Sequence, residues 1–147
     1  DIVSPVDFAG TFCEIAGIDA PTDLHGDSMV SILKGKTPKD WRKSFYYHYY
    51  EYPGYHWVRR HYGVADGRYK LIRFYEKDVD QWELFDLKTD PNEMTSVYNT
   101  AEYAVVQNRL FRQLAVHRQK LDVPVEDPPQ SVVKRMPPRT RKPTAPN

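Results

Sequence analysis

Between residues 45 and 62, nine of eighteen positions are aromatic, among them Phe45, Tyr46, Tyr47, Tyr49, Tyr50 and Trp57. Rings at this density fit a pleated, half-buried surface, so Phe45–Tyr50 is expected to be a strand that Pro53-Gly54 breaks. Two more strands, His61–Ala65 and Arg68–Tyr75, are expected on either side of Asp66-Gly67, a dipeptide that favours the tight turns of antiparallel hairpins. A fourth, Trp82–Leu87, follows the polar stretch Glu76–Gln81. Asp90-Pro91 then turns the chain, because a residue before proline is pushed out of helical geometry. A sheet with one apolar face needs a cover. Tyr103, Val106, Leu110, Leu114, His117 and Leu121 recur at three- and four-residue spacing, with Arg109, Arg112, Arg118 and Lys120 on other faces. That pattern predicts an amphipathic helix of about five turns. The expected fold class is therefore α+β, a four-stranded antiparallel sheet packed against a long C-terminal helix.

Upstream, Ser4-Pro5-Val6-Asp7 has the chemistry of a helix start, with Ser4 as cap, Pro5 at the first helical position and Asp7 near the positive helix end. Phe8, Phe12, Ile15 and Ala16 follow at helical spacing and Gly17 offers a stop, which predicts a short buried helix. Residues 18–41 carry turn residues (Pro21, Gly26, Gly35, Pro38) around the short apolar turn Met29–Leu33, and read as a connector. Beyond Pro124 the prolines come too often for a helix or a central strand.

A length of 147 residues leaves room for one ordinary hydrophobic core. No apolar run approaches the roughly 18 residues of a membrane-spanning helix. The net charge of +1 hides an asymmetry, since residues 131–147 hold five basic residues and no acid, leaving 16 basic against 20 acidic residues before them. An acidic body lacks the concentrated basic face that nucleic-acid binding needs, and the Pro-rich basic tail is expected to be solvated and disordered. One cysteine, Cys13, excludes a disulfide framework and any thiolate zinc cluster. The start at Asp1, with neither Met nor signal-like character, reads as the middle of a longer protein, so compartment is left open.

The motifs of self-sufficient catalysis are missing from the sequence: there is no Gly-rich phosphate loop, no Gly-x-Ser-x-Gly elbow and no His-Glu-x-x-His pair. His48, His56 and His61 are spaced as no common zinc site is, and no metal ligand set is expected. The cluster Tyr52, Tyr55, His56, Trp57, Arg59, Arg60 and His61 has two readings. Stacking rings beside guanidinium forks suit a sugar that carries sulfate or carboxylate. The same residues also suit an aromatic core with exposed hairpin charges, in which His48 shares a strand face with Tyr46 and Tyr50 in a structural, hydrogen-bonded role.

Arg60-His61-Tyr62-Gly63-Val64, Gly67-Arg68-Tyr69-Lys70-Leu71-Ile72, Glu83-Leu84-Phe85-Asp86-Leu87 and Asp90-Pro91-Asn92-Glu93, in that order, resemble the C-terminal region of the formylglycine-dependent sulfatases. Val6-Asp7-Phe8 through Ala16-Gly17-Ile18, with Pro21 and Gly26-Asp27-Ser28, resembles the last helix and connector before it. The stretch Tyr47–Pro53 with His56 and Arg60–Gly63 is most similar to N-acetylglucosamine-6-sulfatase-like members that act on glycosaminoglycans. Ala65-Asp66 and Ser96-Val97 stand where the family more often has Arg-Thr and Asn-Leu. The resemblance implies an alkaline phosphatase-like superfamily protein in three parts: residues 1–41 as the end of a catalytic domain and its connector, 42–123 as the C-terminal subdomain, and 124–147 as the tail.

It also implies hydrolysis of a sulfate ester, of 6-O-sulfated N-acetylglucosamine, by a formylglycine made from Cys or Ser in Cys/Ser-x-Pro-x-Arg, beside a calcium ion. That signature is absent here, since Glu14-Ile15-Ala16-Gly17 follow Cys13. The nucleophile, the calcium and every catalytic residue are thus expected in the protein's own N-terminal catalytic domain, leaving these residues inert by themselves. The implied partners are that domain and a sulfated saccharide, and the implied compartments are periplasmic, secreted or lysosomal. His56 first, then His48, with Arg60 and His61 after them, are the expected sugar contacts at the pocket rim. Two other readings stay open: a non-catalytic carbohydrate- or protein-binding module, and the same subdomain in a related phosphoester hydrolase.

Overall fold

Four strands, β1 (Phe45–Tyr49), β2 (His61–Ala65), β3 (Tyr69–Glu76) and β4 (Val79–Asp86), pair antiparallel in chain order. They belong to a computed structural model that describes residues 1–52 and 57–127. The β2–β3 turn is as expected from its sequence: Gly67 takes a φ of 87°, and Asp66 Oδ1 accepts the amides of Arg68 and Tyr69 at 3.2 and 2.8 Å, the local bonding that makes Asp a turn former. The expected start of β4 at Trp82 is late. Glu76 pairs with Val79, so Lys77 and Asp78 alone close the turn, and the polar Asp80 and Gln81 are exposed on an outer strand, where polarity costs little. The free edge of β4 is itself covered, since Leu84 donates to Ser96 Oγ at 3.1 Å and accepts from the Val97 amide at 2.8 Å.

Alternation sends Val64, Leu71 and Leu84 to one face of the sheet. Leu110 and Leu114 of the long helix α3 (Ala104–Lys120) pack onto them there, and these five form the buried core. A 3-10 turn at Ala101–Tyr103 leads into α3. Half-buried aromatic rings surround the core, with Phe111 edge-on to Trp82 at 4.8 Å and Trp82 stacked beside Tyr98. On the opposite face Tyr47 lies across its β2 partner Gly63. A Cβ at Gly63 would stand 2.2 Å from the Leu71 carbonyl oxygen and 2.4 Å from the Tyr47 hydroxyl, so only glycine fits.

The N-terminal helix α1 (Asp7–Ala16) ends at Gly17 with φ 69°, as its sequence predicts. Its start differs from expectation. Ser4 makes no side-chain cap; Asp7 Oδ2 instead accepts the Ser4 amide at 2.7 Å. The burial differs as well. Asp7, Gly10 and Thr11 are the buried residues, whereas Phe8, Phe12 and Ile15 are 50, 62 and 67% exposed. The buried face is polar because it meets backbone: Thr11 Oγ1 accepts the Met29 amide at 2.9 Å just before the short helix α2 (Val30–Leu33), and Asp7 Oδ1 accepts the Asp27 amide at 3.1 Å. Arg42 clamps the Asp7 carboxylate with both terminal nitrogens, at 2.9 and 2.5 Å. Trp41 Nε1 donates to the Ile2 carbonyl at 2.8 Å, fastening the start of the chain to the approach to β1.

Leu84→Ala, which empties a fully buried site under α3, is expected to lower unfolding free energy by about 2–5 kcal/mol in a chemical denaturation curve. Phe12→Ser removes an exposed ring and should change the same free energy by no more than about 0.5 kcal/mol, while reducing the fluorescence of a dye that reports apolar surface.

Candidate functional site

His48 sits on the α3 side of β1, with only 6% of its side chain exposed. Both ring nitrogens are engaged: Nδ1 meets the Tyr46 hydroxyl and Nε2 the Tyr75 hydroxyl, each at 2.8 Å. The Tyr50 ring lies 4.0 Å from the imidazole, centroid to centroid. Burial pushes the His48 pKa below its ordinary value, and the Arg118 guanidinium adds to that, against an opposing pull from Asp127. The Tyr46 hydroxyl, desolvated in the same way, is pushed up to about 12.

Arg60 lies at the base of the β1–β2 connection. It forks onto the Glu76 carboxylate and donates through Nη1 to Asp127 Oδ2 at 3.1 Å. Tyr75 donates to the same Asp127 oxygen at 2.9 Å. His48 and Arg60 are thus brought together by Asp127, a residue of the stretch expected to be tail. Arg59 binds the Tyr52 hydroxyl and Asp78, with its guanidinium 4.4 Å above the Tyr52 ring.

His61 points to the other face. It pairs with Tyr49 in register, stacks on that ring at 5.6 Å and 21°, and lies 5.3 Å from the ring of Phe74. Its Nδ1 donates to the Arg59 carbonyl at 2.8 Å. A carbonyl only accepts, so the neutral ring is protonated at Nδ1 and carries its lone pair on Nε2. Among the described residues that Nε2 makes no hydrogen bond. His56 lies outside the described residues, as does the basic stretch 131–147.

Sequence reasoning missed Tyr75, Glu76, Arg118 and Asp127. Asp127 carried one signal, as the last acid before the basic stretch. Among the described residues no cluster of His, Cys, Asp and Glu could hold a metal, and no helix is long and apolar enough to cross a membrane.

A four-stranded antiparallel sheet under one long helix is the arrangement found in hydrolases of the alkaline phosphatase-like fold. Phosphonate monoester hydrolase of Agrobacterium radiobacter shares it with a TM-score of 0.61 at 24% identity, over 78% of this chain and 24% of that one. Residues 1–120 match the model of the N-sulphoglucosamine sulphohydrolase C-terminal family, and the chain belongs to that family. An N-acetylglucosamine-6-O-sulfatase of Bacteroides thetaiotaomicron is 51% identical over 111 residues, 74% of this chain and 20% of the relative. Arylsulfatase K of Rattus norvegicus is 30% identical over 118 residues, 77% of this chain and 20% of that relative. A solved structure described as a complex with its substrate D-glucosamine-2-N,6-O-disulfate superposes with a TM-score of 0.74 at 47% identity, covering 79% of this chain and 24% of that one. The chain therefore spans about one fifth of the length of these curated relatives.

His117, on α3, is a second half-buried imidazole, bonded through Nε2 to Ser44 Oγ at 2.9 Å, and burial followed by the charge of Lys120 lowers its pKa too. Both histidines therefore bind protons less readily folded than unfolded. Stability is expected to be full above the unfolded value of roughly 6.5 and to fall as pH drops from there toward the lowered folded values. Thermal melts between about pH 8 and 5 check this, and His117→Gln should flatten the slope.

Proposed function

We propose that this chain is the C-terminal part of a sulfatase that removes the 6-O-sulfate of N-acetylglucosamine units in glycosaminoglycans. The observation that carries the reading is the 51% identity to an N-acetylglucosamine-6-O-sulfatase over 74% of this chain. On this reading the chain supplies substrate contacts at a pocket rim. The formylglycine and calcium of the family do not fit the residues present: no Cys/Ser-x-Pro-x-Arg occurs in the sequence, and no carboxylate cluster stands among the described residues. That chemistry belongs to a catalytic domain outside these residues. The exposed stripe Phe8, Phe12 and Ile15 supports a partner surface for that domain, since a run of exposed apolar side chains of this kind marks an interface.

Among the four proposed sugar contacts, His56 keeps the first place because its number in the sequence falls after β1 and before β2, and connections between strands are where binding residues concentrate. His61 offers a lone pair on Nε2. His48 and Arg60 hold other protein groups, which supports an orienting part for both.

In the full-length protein that carries this region, His56→Ala is expected to lower kcat/KM on a 6-O-sulfated N-acetylglucosamine by about five- to a hundredfold, the scale of one lost hydrogen bond to a buried partner. Hydrolysis of an aryl sulfate, which has no sugar hydroxyls, should change little. Equal losses on both substrates would remove His56 from the sugar site, and failure of the unmodified protein to release sulfate from the sugar would remove the function. The 147-residue chain by itself should turn over neither substrate.

A further inference from the structure

Five side chains from four parts of the chain form one continuous hydrogen-bonded line across the α3 face of the sheet. Arg118 of α3 meets Tyr46 at 3.2 Å, Tyr46 meets His48 and His48 meets Tyr75 at 2.8 Å each, and Tyr75 meets Asp127 at 2.9 Å. The two ends set its direction. A guanidinium only donates and a carboxylate only accepts. Tyr75 spends its single proton on Asp127, so its oxygen must accept from His48, and Nε2 of His48 carries the hydrogen. Tyr46 accepts from Arg118 and gives its own proton to His48 Nδ1. Every donor in the line then has one acceptor, with the imidazole neutral.

We infer that Asp127 is a positioning residue: it latches the seven residues after α3 to the sheet and, through Tyr75, holds His48 as a single neutral tautomer protonated at Nε2. The same carboxylate takes Arg60 Nη1, and Arg60 is held from its other side by Glu76. The latch thereby fixes both described ends of the β1–β2 connection, the β1 end at His48 and the β2 end at Arg60. Arg118 closes the circuit, since it stands 4.4 Å over the Tyr62 ring and also donates to the Pro124 carbonyl at 3.4 Å, within the latched segment. A role for Asp127 in substrate binding rests on the sulfatase reading above; the latch and the tautomer do not.

Nitrogen-15 NMR of the histidine-labelled chain reads the tautomer directly. The expected result for the unmodified chain is one protonated Nε2 and one lone-pair Nδ1 for His48. In Asp127→Ala the Tyr75 proton is released to point at His48, and the two tautomers should interconvert. Asp127→Asn retains an oxygen that accepts from Tyr75 and should keep the Nε2–H form, which separates loss of the latch from loss of the fold. A thermal melt confirms that each variant is folded. An unchanged His48 pattern in folded Asp127→Ala overturns the inference.

In the full-length protein, Asp127→Ala should raise KM for the sugar sulfate about three- to tenfold with kcat retained, as expected when binding geometry is loosened away from the reacting atoms. A lost tautomer with unchanged KM overturns the positioning role in binding. If the unmodified protein hydrolyses no sulfate ester, the functional reading fails, and the NMR result still decides the latch.

Discussion

The contact of Leu110 and Leu114 with Val64, Leu71 and Leu84 decides which way the whole sheet faces. Side chains along a strand alternate strictly, so once these three point at α3 every other position on β1 to β4 is assigned. A slip of one residue would expose the core and bury Lys70 and Glu83 in its place, which makes the register strongly specified. That assignment carries the chemistry with it. Tyr46, His48, Tyr62 and Tyr75 are obliged to face the helix, and Tyr47, Tyr49, His61 and Phe74 are obliged to face away.

The buried carboxylates Asp86 and Asp7 are each given partners. Asp86, 1% exposed, takes both forks of Arg68 at 2.9 and 2.7 Å and the Lys88 amide at 3.1 Å. The Arg68 guanidinium holds its carboxyl below the usual range, with the Lys88 amide helping against burial. Asp7 solves the same problem in the N-terminal part. Burial alone would raise its pKa, and Arg42 with the Ser4 and Asp27 amides overcomes that and lowers it. Such pairs contribute modest net stability, because desolvation offsets much of the attraction. Their geometry still restricts how segments meet, since each carboxylate has bonds to make in two or more places along the chain.

Strand existence, the Asp66-Gly67 turn, the Gly17 stop and the apolar stripe of α3 were legible because each rests on local chemistry: alternation, a φ only glycine takes easily, or helical spacing. The start of β4 was not legible, because Val79–Gln81 looks like a loop by composition and is a strand only through pairing with β3. The burial of α1 was misjudged for a related reason. Spacing identifies the apolar face of a helix but says nothing of what that face meets, and here the polar face found backbone amides to bind. Of the candidate site, the residue types were legible and their partners were not. The engagement of His48 depends on Tyr75 and Asp127, 27 and 79 positions away in sequence, and no local pattern announces such a contact.

The aromatic block that most constrained the fold therefore serves two ends, one on each face. On the α3 face its hydroxyls close an internal line of donors and acceptors, so its rings and imidazole are committed to the protein itself. On the other face Tyr47 crosses Gly63 and His61 stacks on Tyr49, and the His61 Nε2 lone pair has no partner among the described residues. A group that recognises a sugar hydroxyl must have a hydrogen-bonding atom to spare, and a group that is already saturated can only hold another in place. The same argument separates histidines that two-residue spacing or aromatic context would treat alike. His48 has no atom to spare and His61 has one, and the difference follows from the face to which the leucine core assigns each.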